Sequence, residues 1–202
     1  MNNKNMLVGF LLFSSSLSAF AVDGHNGITF KMTQKQIEAK GFVCNPEKEG
    51  KDIIAVCNHM EMKGTAFGIQ TENYAVHIGT NKKVDEIKAE LIGFSANVED
   101  YIELTMNIQK FFPNKDEKLS FNGEGYFIKD FYRSKDKSGA AILITKPIPP
   151  ISKGRKGITF YSPHAMSQID KALADHAKQE LSGSASSISV DQDKQSTTSD
   201  GN

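Results

Sequence analysis

The residues best suited to chemistry are few and unevenly placed. Cysteine occurs twice, at Cys44 and Cys57. Their spacing is not the C-x-x-C of a redox pair, and two thiols cannot build a four-cysteine zinc site. Between them lies the polar stretch Asn45-Pro46-Glu47-Lys48-Glu49-Gly50-Lys51, followed by the strand-like Ile53-Ile54-Ala55-Val56. Proline and glycine mark a turn there. The pair is therefore expected to form a disulfide that pins a hairpin, which needs an oxidising compartment.

Just after the second cysteine comes His59-Met60-Glu61-Met62. On a strand, His59 and Glu61 face one way and Met60 and Met62 the other. Two neighbouring thioethers can hold cuprous ion, and His77 can approach His59 if the strands pair suitably. Methionines packed in a core give the same pattern. Periplasmic copper or zinc binding is thus the alternative function. His25 stands fourth after a cleavage following Ala21, which spoils an amino-terminal copper-chelating arrangement.

Catalytic signatures are missing from the sequence. There is no Gly-x-Ser-x-Gly, P-loop, His-Glu-x-x-His or EF-hand loop. Ser134-Lys135-Asp136-Lys137 fits Ser-x-x-Lys but falls in a charged hairpin turn rather than at a helix start. The expectation is a non-enzymatic protein with no catalytic residue and no cofactor.

A binding surface is the better candidate. Along one strand Phe127, Lys129, Phe131 and Arg133 share a face, and Tyr126, Ile128, Asp130 and Tyr132 share the other. Only one face can meet the core. The other leaves aromatic and charged groups near solvent, the composition of an interface hot spot, unless a helix or the tail covers it. Tyr126, Phe127, Phe131 and Arg133 are the residues assigned to it.

Charge narrows the partner. The 202 residues carry 24 basic and 24 acidic side chains. A chain without net charge is not built to coat nucleic acid or an anionic membrane. Arginine occurs only at Arg133 and Arg155, so the planar forks that grip phosphate and guanine are nearly lacking. No nucleic-acid partner is expected. The basic loop Lys153-Gly154-Arg155-Lys156 reads as a solvated connector.

The elements that must position these groups can be placed. Residues 1–21 read as a signal peptide: Lys4, the apolar run Met6–Phe13, and Ala19-Phe20-Ala21 as the cleavage site. That run is too short to span a bilayer, so no stable membrane insertion is expected after cleavage. The expected location is periplasmic or secreted, in a bacterium. Residues 22–181 form a single α+β domain, and the Ser/Asp/Gln/Thr-rich residues 182–202 form a disordered tail.

Three helices are predicted. Thr33 and Gln36 make a capping box, Met32 and Ile37 a hydrophobic staple, and Gly41 a left-handed stop. A second helix runs from Ala96 to Phe112, with Val98, Tyr101, Ile102 and Ile108 as its apolar stripe and Leu104 and Phe111 widening it. A third starts at Ser162-Pro163, presents Met166, Ile169, Leu173 and Leu181, and closes at Gly183. Alternation predicts a hairpin of Tyr74–Ile78 with Ile87–Leu91, another of Tyr126–Arg133 with Ala140–Thr145, and short strands at Gly64–Gln70 and Gly157–Tyr161. The fold class is α+β, an antiparallel sheet of hairpins with about three helices on one face.

Gly27-Ile28-Thr29-Phe30 recurs as Gly157-Ile158-Thr159-Phe160, each copy before a helix cap. This is compatible with a duplicated β-to-α unit; a tetrapeptide also recurs by chance, and the intervening stretches do not match. The run Gly27–Ile37 followed by Gly41-Phe42 resembles small exported α+β modules of the SmpA/OmlA and β-lactamase-inhibitor-protein-like type. That resemblance covers fewer than twenty residues. It implies a helix-plus-antiparallel-sheet module that binds other proteins, without carrying over any functional residue. The chain lacks the lipidation cysteine of the first and clear tandem repeats of the second. The expected function is an inhibitor, immunity or envelope-assembly protein whose partner is another envelope or secreted protein.

Overall fold

The computed structural model describes residues 23–48, 52–94, 98–123, 127–135, 141–147 and 156–188. The expected leader, Tyr126 and residues 189–202 lie outside them. Strands β1 (Gly24–His25) and β2 (Ile28–Thr29) make a small hairpin, followed by helix α1 (Gln34–Glu38). Then come β3 (Val43–Pro46), β4 (Ile53–Ala66), β5 (Ile69–Gly79) and β6 (Val84–Leu91). Helix α2 (Val98–Gln109) leads into β7 (Asn114–Lys115), β8 (Phe121–Gly123), β9 (Phe127–Arg133), β10 (Ala141–Pro147) and β11 (Gly157–Tyr161). Helix α3 (Pro163–Ile188) completes the described chain.

The large sheet is antiparallel throughout and runs β3-β4-β5-β6-β11-β10-β9-β7, with β8 also pairing β9. Strands β3 to β6 enter from one edge in chain order. Strands β7 to β11 enter from the other, and the two series meet where β6 pairs β11. Each series follows a helix, α1 or α2. The plan is therefore two helix-then-strands units joined on their last strands. The sequence repeat does not mark it: Gly27-Ile28-Thr29 belongs to the β1–β2 hairpin, and Gly157-Ile158-Thr159-Phe160 lies in a central strand.

Local signals explain the first unit. The Thr33 amide donates to Gln36 Oε1 at 2.9 Å, Ile37 is buried, and Gly41 adopts φ +90° after the helix. Tyr74, Val76 and Ile78 of β5 and Ile87, Ala89 and Leu91 of β6 point into one buried cluster, which also takes Ile37 from α1 and Leu104, Ile108 and Phe112 around α2. Cys44 and Cys57 are cross-strand partners in β3 and β4 and are disulfide-bonded. The bond staples a four-residue edge strand to the sheet. Closing a loop of this size stabilises by about 3 kcal/mol in the chain-entropy model. The Cys44→Ala/Cys57→Ala double variant is expected to lose about that much, measured by urea unfolding; an unchanged midpoint would show that β3 holds without its staple.

Four expectations are corrected. Gly64–Gln70 is not a separate strand: β4 runs on to Ala66, the chain turns at Phe67-Gly68, and β5 begins at Ile69. The α2 stripe is rotated, with Leu104 and Ile108 buried and Ile102 51% exposed. Tyr101, Leu104 and Ile108 recur at helical spacing, which places Ile102 on the flank. Gly183 does not close α3, which continues to Ile188, so residues 182–188 are helical rather than disordered. A glycine inside a helix costs only about 1 kcal/mol relative to alanine, too little to stop one.

The helices also do not share one face. Met166 of α3 packs with Phe131 in a second cluster, flanked by Tyr161 and Ile169. Phe131 and Tyr161 alternate with Tyr132 and Phe160, which belong to the main core. Strand alternation thus puts α3 on the opposite side of the sheet from the main core.

Candidate functional site

From Asp130 to Tyr132 the strand assigned to partner binding is covered on both sides. Phe131 is only 4% exposed and packs beneath α3, its ring 5.6 Å from that of Tyr161. The Arg133 guanidinium is committed to Asp116 at 2.6 Å and to both Asp170 oxygens at 2.6 and 3.0 Å. Burial opposes ionisation of Asp116, but the Arg133 contact outweighs it and holds the carboxyl below its ordinary value. On the other face Asp130 and Tyr132 are buried, with Tyr101 donating to Asp130 and Lys115 at 3.1 Å from it. Phe127 is described only as a strand residue. Alternation separated the two faces correctly; a helix crossing the second leaves no signal in the strand itself.

The methionine stretch is also rearranged. The β4–β5 register is interrupted between His59, opposite Tyr74, and Lys63, opposite Glu72. This bulge breaks the alternation, so Met60 is 62% exposed and Met62 packs against the core. The two thioethers do not share a side. His59 meets the edge of the Phe42 ring at 5.2 Å. His77 lies opposite Val56, with its Nδ1 3.0 Å from Glu86. Among the described residues no group of three or more His, Cys, Asp or Glu side chains is placed to hold a metal ion.

The structure instead assembles an aromatic groove from distant parts of the chain. The His25 ring of β1 lies flat on Phe160 of β11, 4.4 Å between centroids, and its Nε2 is 3.0 Å from the Tyr74 hydroxyl. That hydroxyl is in turn 2.5 Å from Thr71 Oγ1. Burial pushes the His25 pKa down to about 4, so the ring is neutral near pH 7. A neutral histidine stacked on phenylalanine forms a rigid, mainly apolar floor.

The opposite wall is the β4–β5 hairpin tip. Phe67 has φ +49° and Gly68 φ +90°, as a two-residue type I′ turn requires. Asparagine and glycine are the usual residues there, and a bulky side chain at positive φ costs on the order of 1 kcal/mol. Phenylalanine is held by packing: its ring lies 5.9, 6.4 and 6.2 Å from those of Phe111, Phe112 and Phe160. Phe111, just after α2, is 47% exposed at the rim. The groove enclosed has a volume of about 770 Å³. A second cleft of about 380 Å³ opens on the far side of Phe67, lined in part by Gln70, Asp100, Glu103 and Asn107.

None of these groove residues was singled out by sequence reasoning as a binding site. The available signal was the Phe67-Gly68 dipeptide between two strand-like runs, which marks a hairpin tip.

One further cluster was invisible in the sequence. Asp85 of β6 is 3% exposed and lies under the start of α3. Ser162 Oγ donates to it at 2.7 Å, His164 Nδ1 sits 2.9 and 3.1 Å from its two oxygens, and Asn81 Nδ2 is 3.4 Å away. Ser162 Oγ also accepts the Ala165 amide at 3.0 Å and so caps α3. The composition is that of a hydrolytic triad, but the order is not. A triad histidine stands between acid and nucleophile. Here the serine and the histidine both bond the acid directly, so the cluster is an anchor that ties β6 to α3.

No protein-family model matches this chain, and comparisons with curated proteins and with solved structures find no significant match. No helix among the described residues is long and apolar enough to cross a membrane.

Proposed function

We propose that the chain is an exported, non-enzymatic protein-binding module of the bacterial envelope, acting on another envelope or secreted protein as an inhibitor, immunity or assembly factor. It takes apolar side chains of that partner into the aromatic groove beside Phe67. The single observation that carries this reading is a half-exposed Phe111 beside a groove whose floor and wall are fixed by stacking and by a strained turn. Pre-ordered aromatics bind at low entropic cost, which is why they dominate interface energetics. The cross-strand disulfide is what an oxidising compartment would produce, and so favours the exported location.

The test compares wild type with Phe111→Ala as baits in a native envelope extract. Phe111 also rests against Phe67, so circular dichroism checks that the variant keeps its fold; with the fold kept, loss of a hot-spot aromatic weakens binding by roughly 2 kcal/mol or more, about thirtyfold. A protein retained by the wild type and lost with Phe111→Ala supports the groove. Identical captured sets would show that the groove is not the binding surface.

A further inference from the structure

We infer that the partner enters the groove as an extended strand: one of its residues exchanges backbone hydrogen bonds with Thr65 on the open edge of β4, and the residues on either side of it seat apolar side chains on the groove floor. This rests on the groove being the binding site. Three observations carry it.

The first is a sheet edge that is blocked up to the groove. Strand β4 runs from Ile53 to Ala66, while β3 pairs only Ala55–Asn58 of it. Past β3 the bulge between His59 and Lys63 disrupts the edge, and Asn26 Nδ2 donates to the Lys63 carbonyl at 3.0 Å. Bulges and covering groups are how sheets prevent unwanted pairing. Thr65 is the next position whose backbone faces the same way, and it lines the groove.

The second is the direction of the Thr65 backbone groups. Thr65 stands opposite Gln70 of β5, but the Gln70 carbonyl accepts the Ile92 amide at 2.8 Å, on the side away from β4. Opposed residues of an antiparallel pair alternate between exchanging both bonds and exchanging none. Thr65 exchanges none with β5, like Lys63 two residues before it, whose carbonyl Asn26 takes. The Thr65 N–H and C=O therefore point off the sheet, and no group among the described residues bonds them.

The third is the facing of a strand laid along that edge. Ala66 is 2% exposed and belongs to the main core, so Thr65 faces the other way. A partner residue opposite Thr65 turns its side chain to Thr65's face. The residues before and after it turn theirs to the Ala66 side, where the stacked His25 and Phe160 rings form the floor. Main-chain bonds to an open edge, with alternate side chains in a pocket, are the marks of recognition by strand addition.

The probe is the tightest binder selected from random peptides displayed on phage against the immobilised wild-type chain. It is synthesised with N-methyl groups, and separately with alanine, at each position in turn, and titrated by fluorescence polarisation. N-methylation of one residue should weaken binding about tenfold, the worth of one good backbone hydrogen bond, and alanine should be most damaging at the residues on either side of it. Thr65→Pro removes the outward N–H without breaking a bond to β5, a place where edge strands accept proline, and should weaken the unmodified peptide by about the same factor. If that variant does not fold, the N-methyl series alone decides. A peptide lost with Phe111→Ala that tolerates N-methylation at every position, or tolerates a folded Thr65→Pro variant, would overturn the added strand and leave the groove standing. A selection without binders, or binders untouched by Phe111→Ala, would overturn both.

Discussion

Replacing Asp85 with alanine is expected to lower stability by roughly 3–5 kcal/mol, the usual cost of removing one member of a buried, hydrogen-bonded charged group. Three side chains lose their acceptor at once: Ser162, His164 and Asn81. Ser162 is also the cap of α3, so the start of the helix loosens with it. The same network explains a glycine. Gly79 does not have a positive φ, so its backbone does not demand glycine. A side chain there would collide with the Asp85 carboxylate. Gly79→Ala should therefore cost several kcal/mol alone, and less than about 1 kcal/mol once Asp85 is alanine. Residues that share a partner give non-additive changes of this kind. Urea unfolding of the four proteins in the cycle measures it. Simple additivity would mean that Gly79 is retained for another reason.

The second large effect is a dependence on acid. The His25 pKa is about 4 in the folded protein against 6.5 for the free side chain, with burial as the cause. Between these values the unfolded chain binds a proton that the folded one refuses. Stability therefore rises with pH across that window, and the contribution is fully present above about 6.5 and lost as pH falls toward 4. The difference corresponds to roughly 3 kcal/mol. The His25→Phe variant keeps a ring on Phe160 but cannot titrate. The difference in unfolding free energy between wild type and variant should change by about that amount from pH 7 to pH 4. A difference that stays constant would mean that the His25 ring accepts its proton freely in the fold.

How much of this could be read in the sequence depends on whether a signal was local. The Thr33/Gln36 box and Gly41 lie within nine residues and placed α1 correctly. The cysteine pair and the alternation of β5 and β6 were equally local, and the α+β class followed from them. Signals carried by distance were lost. The β4 bulge inserts residues without any break in composition, so Met60 and Met62 seemed to share a side. Phe131 looked exposable because nothing in its own strand reveals that Met166 will cover it. Asp85 resembles any other surface acid among Val84, Glu86 and Lys88 until Ser162 and His164 arrive. The groove draws on His25, Phe67, Phe111 and Phe160, each unremarkable beside its own neighbours. Only the meeting of β6 with β11 brings the two units, and hence these rings, together.

The groove as the binding surface is tested most directly by hydrogen exchange of the wild-type protein, with and without the partner captured by it. Protection is expected at the β1–β2 hairpin, at the Phe67-Gly68 tip and around Phe111, with little change along β9 and α3. Protection confined to β9 and α3, with the hairpin tip unaffected, would contradict the account.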